Sequence, residues 1–281
     1  MQNSEEDITF REYLQILKDS SPYDFSEYSD NSIFRRIHKV MRDYRLSLNE
    51  LVAKTRSDLV FVEQIVEALT VNTTELFRDP ATWIYLHDKL LPSLKTKPNI
   101  NIWHAGCSSG QEVYSNLILL DQLGLLKQAT VYASDISQRM IDQAKKGIYK
   151  YRFNQNYIEN FNQVVGRNQK VDFSMYFDII ESEDKMVVKD FLREIPRFVK
   201  HDLVQEKMPF FNKFDIIFCR NVLIYFNAGL QSRIIQRFHD NLFPGGTMIL
   251  GTHEAITGFF KTKFVKNGPV YTKSNVFHFK Y

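Results

Sequence analysis

Apolar positions recur at helical spacing over the first part of the chain, and residues 8 to about 92 are expected to be helical. Phe10, Tyr13, Leu14 and Leu17 share one face, Phe34, Ile37, Met41 and Tyr44 a second, and Val62, Ile65, Val66 and Leu69 a third. Pro92 to Pro98 is a lysine-containing connector and a domain boundary, giving a helical domain over 1–92 and a second domain over 93–281. From residue 100 the period changes. Asn101–Ala105 is a buried strand, Gly106 to Gly110 a tight loop, and from Gln111 Val113, Leu117 and Leu120 line a helix. Thr130–Asp135 is a second strand followed by a second helix, the rhythm of a parallel α/β sheet. Residues from about 155 to 193 break this rhythm. Asp172–Ile180 and Met186–Leu192 are strand-like around a polar turn and predict a small antiparallel insertion. The α/β pattern resumes with Arg197–His201, Phe214–Cys219, a helix near Gln231–Leu242, and the turn Pro244–Gly246 into the strand Thr247–Gly251. Phe264–Phe279 closes the chain as a hairpin around Asn267-Gly268.

Composition narrows the class. Of 281 residues, 44% are hydrophobic, with 23 Phe and 14 Tyr, which supports a large core and argues against disorder. The net charge of +3 implies no obligatory nucleic-acid partner. The start, Met1–Asp7, is acidic without an apolar stretch, and no apolar run reaches the ~20 residues of a bilayer span. Two cysteines make no disulfide framework, and the His and Cys positions have no metal-ligand spacing. A cytoplasmic protein without a metal is expected.

The chemistry concentrates at two strand ends. Gly106 and Gly110 flank a loop with Ser108 between them, where a dinucleotide fingerprint has a middle glycine that lets backbone touch a pyrophosphate. A nucleoside cofactor without phosphates fits better, and S-adenosylmethionine (SAM) is the common one. Glu112, in the first helical turn, suits the ammonium group of SAM, and Asp135 at the next strand end suits ribose hydroxyls. Each signal alone has a plain alternative, a strand-to-helix turn for the loop and a helix cap for Asp135. The second cluster is Phe214–Phe226, where Arg220, Asn221 and Tyr225 follow a central strand at its ligand-binding carboxyl end. Helix 31–45 carries Arg35, Lys39 and Arg42 roughly opposite its apolar residues.

Four stretches resemble the chemotaxis receptor methyltransferases, the CheR family: Asn72–Arg78, Ala105–Glu112 with Tyr114-Ser115, Cys219–Phe226, and Leu242–Gly246 with Leu250-Gly251 and Glu254. The resemblance implies a Rossmann-like, class I SAM-dependent methyltransferase domain with a small antiparallel β insertion, preceded by an all-α N-terminal domain. It implies transfer of a methyl group from SAM to glutamate side chains of receptor coiled coils, leaving S-adenosylhomocysteine. By motif, Asn72, Thr74 and Arg78 reach the cofactor, and Gly106 and Glu112 hold its methionine part. Asp135 holds the ribose, Asn221 and Val222 line the cofactor, and Arg220 and Tyr225 lie near the substrate as catalytic groups. The family's Asn-Leu pair at adenine is Asp202-Leu203 here, so a side-chain donor is lost. Leu76-Phe77 stands where two aromatics are usual. The basic stripe Arg35, Lys39 and Arg42 matches a Glu-rich methylation helix. A monomer, reaching the membrane only through receptors, is expected. The alternatives are a methyltransferase of this fold acting on another protein or small molecule, and a SAM-binding regulatory module without turnover.

Overall fold

The structure, a computed structural model, describes residues 8–152, 155–167, 171–205, 208–210 and 213–274. The acidic start Met1–Asp7 and the end of the closing hairpin beyond Ser274 lie outside the described residues. The chain forms two compact units. One comprises Met1–Asn72, Asp202–Lys207 and Val222–Ile234; the other comprises Thr73–His201, Met208–Asn221 and Ile235–Tyr281.

The first unit is helical. Helices α1 (Phe10–Ser20), α2 (Asp30–Tyr44), α3 (Leu48–Ser57) and α4 (Leu59–Leu69) each follow a polar residue, Thr9, Ser29, Ser47 and Asp58 respectively. Thr9 with Glu12, and Ser47 with Glu50, form capping boxes that satisfy otherwise orphaned backbone N–H groups; Asp58 accepts from the Phe61 N–H. The buried line of α2 is Ile33, Ile37 and Val40; of the expected Phe34, Ile37, Met41 and Tyr44, only Ile37 is on it. Phe34 instead lies 5.5 Å from the Phe10 ring, and the exposed Tyr44 meets Phe61 edge-on. A short 3₁₀ turn at Leu223–Tyr225 is pinned here, the Ser29 N–H donating to the Tyr225 carbonyl at 2.8 Å and the Asn227 N–H to the Glu27 carbonyl at 2.9 Å.

The second unit holds a seven-stranded sheet built from β1 (Ile100–Ala105), β2 (Ala129–Asp135), β6 (Arg197–Lys200), β7 (Phe214–Cys219), β8 (Leu242–Leu250), β9 (Phe264–Asn267) and β10 (Val270–Lys273), in the order β6-β2-β1-β7-β8-β10-β9. From β6 to β8 neighbours run parallel; β10 and β9 are antiparallel. Successive strands leave β1 to one side and then, from β7, to the other. The carboxyl ends of β1 and β7 therefore flank the switch point at which open α/β sheets bind ligands. β7 is buried throughout, as a doubly covered parallel strand requires. The helices are α5 (Pro80–Tyr85), α6 (Gln111–Gln122), α7 (Gln138–Lys146), α8 (Gln155–Val164), the single turn α9 (Asp190–Arg193) and the second half of α10 (Ala228–Asn241).

A small antiparallel sheet has the order β3-β5-β4, formed by β3 (Ile148–Lys150), β5 (Lys185–Val188) and β4 (Phe177–Ile180). Its two longer strands are shorter than the alternation suggested, and β3 and helix α8 were not expected. Helix α10 ends at Asn241, and β8 already begins at Leu242 with Gly245 at φ 72°, so the Pro-Gly-Gly segment lies inside the strand's irregular start, not ahead of it. Among the described residues no helix is long and apolar enough to cross a membrane.

Candidate active site

The loop after β1 is held open by backbone geometry. Gly106 (φ 80°), Ser108 (φ 48°) and Gly110 (φ 93°) are all left-handed. Gly106 and Cys107 donate N–H bonds to the Ser134 carbonyl at 2.8 and 2.9 Å, which ties the loop to the end of β2. Gly110 is irreplaceable on two grounds: its φ, and a Cβ there would lie 2.9 Å from the Ala144 Cβ. Asp135 is buried at the tip of β2, accepting from the Ser108 N–H at 2.7 Å and the Ser137 N–H at 3.0 Å. Burial raises its carboxyl above the ordinary range, and N–H bonds from Ser137, Ser108 and Ile136 oppose that rise. A carboxylate has about four acceptor positions, so three N–H bonds leave capacity for a ribose hydroxyl. The cradle fits a nucleoside.

A chain of buried and half-buried charges lies beside it. The Glu112 Oε1 is 2.8 Å from His104 Nδ1, and Oε2 receives a bond from Arg220 at 3.3 Å. Burial pushes Glu112 up, but His104 and Arg220 outweigh it and hold the carboxyl below its usual value. Two of its acceptor positions are taken, which leaves room for an ammonium group. Arg220 is buried. One terminal nitrogen donates to the Arg78 carbonyl and to Asp79 Oδ2, both at 2.8 Å, and the guanidinium lies 5.5 Å from the centre of the Trp83 ring. Its terminal N–H groups thus face protein acceptors.

Asn221 sits at φ 61°, and a carboxylate fixes it there: Glu254 Oε2 accepts from the Asn221 N–H at 2.7 Å and from the Gly251 N–H at 2.8 Å. A Cβ on Gly251 would meet that same oxygen at 2.8 Å and the Asn221 nitrogen at 3.0 Å, so only glycine fits. The segment carrying Thr74 and Arg78 is anchored by Tyr157 O–H to the Thr74 carbonyl (3.4 Å), Asn160 to the Leu76 carbonyl (3.1 Å) and the Phe77 N–H to Ser115 Oγ (2.8 Å). Phe77 and Asp79 are also left-handed, so strained backbone clusters at both motifs.

The second unit thus brings together Thr74, Arg78, Gly106, Glu112, Asp135, Arg220 and Asn221. The remaining expected residues belong to the helical unit: Asn72, Asp202, Leu203, Val222, Tyr225, Arg35, Lys39 and Arg42. There the Asp202 Oδ1 accepts from the Val204 N–H at 2.8 Å. The Arg36 guanidinium lies 5.5 Å from the centre of the Tyr225 ring. Arg35, Lys39 and Arg42 are exposed along α2, with Asp43 ion-paired to Lys39 and 3.8 Å from Arg42. Three site residues escaped the sequence reading: His104, taken for a strand residue; Asp79; and Glu254, seen only as part of a motif. The capping carboxylate of Glu254 had a visible signal, an acid three residues after a glycine at a strand end. The His104–Glu112 pair, eight apart across strand, loop and helix, had none.

Comparison with known proteins agrees with this geometry. The family model described as the CheR methyltransferase SAM-binding domain matches residues 72–270. Cher3 of Pseudomonas putida is 36% identical over 251 residues, covering 89% of each chain. Chemotaxis protein methyltransferase 1 of Vibrio cholerae is 32% identical over 263 residues, covering 90% of each. Chemotaxis protein methyltransferase 1 of Pseudomonas aeruginosa is 35% identical over 234 residues, covering 79% of this chain and 80% of its own. The loop, the acids Glu112 and Asp135 beside it and the match over 72–270 lead to one conclusion: the chain belongs to the CheR family of SAM-dependent methyltransferases.

Proposed function

We propose that this protein methylates glutamate side chains of chemotaxis receptors, producing glutamate methyl esters. The observation that carries the reading is the pair of acids, half-buried Glu112 in the first turn of α6 and buried Asp135 at the tip of β2, either side of the glycine loop in a chain of this family. Bound SAM supplies an electrophilic methyl group on a sulfonium. A glutamate carboxylate, with an ordinary pKa near ~4.3, is ionised at neutral pH, so the reaction needs no general base. Catalysis is then positioning and electrostatics.

Glu112 takes the ammonium group and Asp135 the ribose. Asn72, Thr74, Arg78, Asn221 and Val222 line the cofactor, and Asp202 with Leu203 meets adenine. Tyr225 orients one oxygen of the substrate carboxylate while the other attacks. Arg220, with its N–H groups facing Asp79 and Glu112, acts by holding Glu112 in place. The exposed basic line Arg35, Lys39 and Arg42 receives an acidic receptor helix, with Asp43 moderating it. The protein works in the cytoplasm, as a monomer.

The test is incubation with methyl-tritiated SAM and receptor-bearing membranes. The expected product is alkali-labile label, released as methanol and mapping to receptor glutamates. Alkali-stable label, or label on another protein or a small molecule, would overturn the substrate assignment.

A further inference from the structure

Glu112 rests on a residue that the reading above gives no task. His104, the fifth residue of β1, is fully buried, its ring stacked on Phe218 at 4.3 Å and 11°. Its Nδ1 is 2.8 Å from Glu112 Oε1. Its Nε2 is 3.2 Å from the side-chain nitrogen of Asn116, one turn of α6 beyond Glu112 and also fully buried. In this arrangement the amide nitrogen faces Nε2, and an N–H on Nδ1 would point at Glu112. The Asn116 Oδ1 has no partner among the described residues. Turning that amide by half a rotation would present Oδ1 to Nε2, the partner an imidazolium requires. The pocket thus offers an acceptor or a donor to His104, according to its charge.

The charged groups around this imidazole are few. Glu112 faces it from α6, Arg220 holds the other oxygen of Glu112 from the loop after β7, and Asp79 backs Arg220 from ahead of α5. The buried thiols of Cys107 and Cys219 are pushed well up and stay neutral.

We propose that His104 is a positioning residue whose charge sets how strongly Glu112 holds the ammonium group of SAM. The inference rests on the cofactor role given to Glu112 above. A neutral His104 orients the carboxylate with one hydrogen bond and leaves its negative charge for the ligand. An imidazolium would set a second buried cation beside Arg220, so the carboxylate would be neutralised twice before the ammonium arrived. Cofactor binding is therefore favoured where His104 carries no charge, and affinity is expected to rise with pH.

Calorimetric titration of SAM into the full chain, repeated from about pH 5.5 to 8, tests this. Wild-type affinity is expected to climb by up to about tenfold per pH unit on the acid side, the limit for one linked proton. In His104→Asn the side-chain nitrogen can replace the Nδ1 donor without titrating. That variant should bind within about fivefold of the wild-type plateau, one hydrogen bond of the same kind being kept, and its profile should lose this rise. Asn116→Asp, which puts a carboxylate against Nε2, should move the rise to higher pH. Parallel profiles for wild type and His104→Asn would overturn the inference; should that variant fail to fold, an unmoved profile in Asn116→Asp would do so. Wild type that bound no SAM at any pH would overturn the site reading together with the inference, whereas binding with unaltered profiles would overturn the inference alone.

Discussion

Arg220 is the residue on which the site's electrostatics turn. Its guanidinium is buried between Asp79 and Glu112, so its removal leaves two acids without their common cation. Breaking one side of a buried ion pair costs about 3 kcal/mol. Arg220→Ala should therefore lose about that much stability in urea denaturation, and SAM affinity should fall with it. A variant with wild-type affinity that had lost turnover alone would return Arg220 to the substrate. Glu112 has its own signature. Its carboxyl is held below the ordinary value, so the stability it contributes is complete above about 4.3 and lost as pH falls through the folded value. Glu112→Gln should be about 2 kcal/mol less stable than wild type at neutral pH. The gap should close in acid, and denaturant melts across that range measure it. Glu112 and Asp135 were legible in the sequence because each stands at a fixed point after a strand. Arg220's partners were not, because Asp79 is 141 residues away in the chain and no local pattern joins them.

Among the elements, the loop between β1 and α6 carries the most constraint. Gly110 combines a left-handed φ of 93° with a 2.9 Å approach to Ala144, whereas Gly124, also left-handed at 70°, faces open space. Gly110→Ala should cost about 2–3 kcal/mol or more, from strain plus displacement of α7, and Gly124→Ala only about 1 kcal/mol. Thermal melts of the two variants separate crowding from backbone strain; equal losses would contradict the packing described. The strand–loop–helix itself was plain from the sequence, since its period changes at the glycines. Helix α8 was not. Its sequence holds three Asn and the β-branched or aromatic Tyr157, Ile158, Phe161 and Val164, weak helix formers, and tertiary packing supports it: Phe161 lies 5.2 Å from Phe173 and 6.0 Å from Phe77. On α2 the buried line kept Ile37 but took Ile33 and Val40 on either side of it, while Phe34 and Tyr44 meet other aromatics from the rim.

For the whole molecule, the order of the sheet places the chemistry. The α/β rhythm predicted parallel strands, but not that β2 and β6 would pair directly across the long excursion holding the small sheet. Strand pairing at that separation is decided by packing, which periodicity does not encode. The motif Cys219–Phe226 is divided between the units: Arg220 and Asn221 belong to the unit with the sheet, Val222 and Tyr225 to the helical one. A recognisable motif therefore located the residues without revealing that the chain divides inside it. The most direct measurement is a calorimetric titration of S-adenosylhomocysteine into wild type and folded Asp135→Ala protein. One-to-one binding by wild type, weakened about 100-fold in the variant by loss of charge-assisted ribose bonds, is the predicted result. No binding by wild type, or equal binding by both, would contradict the placement of the nucleoside at the tips of β1 and β2.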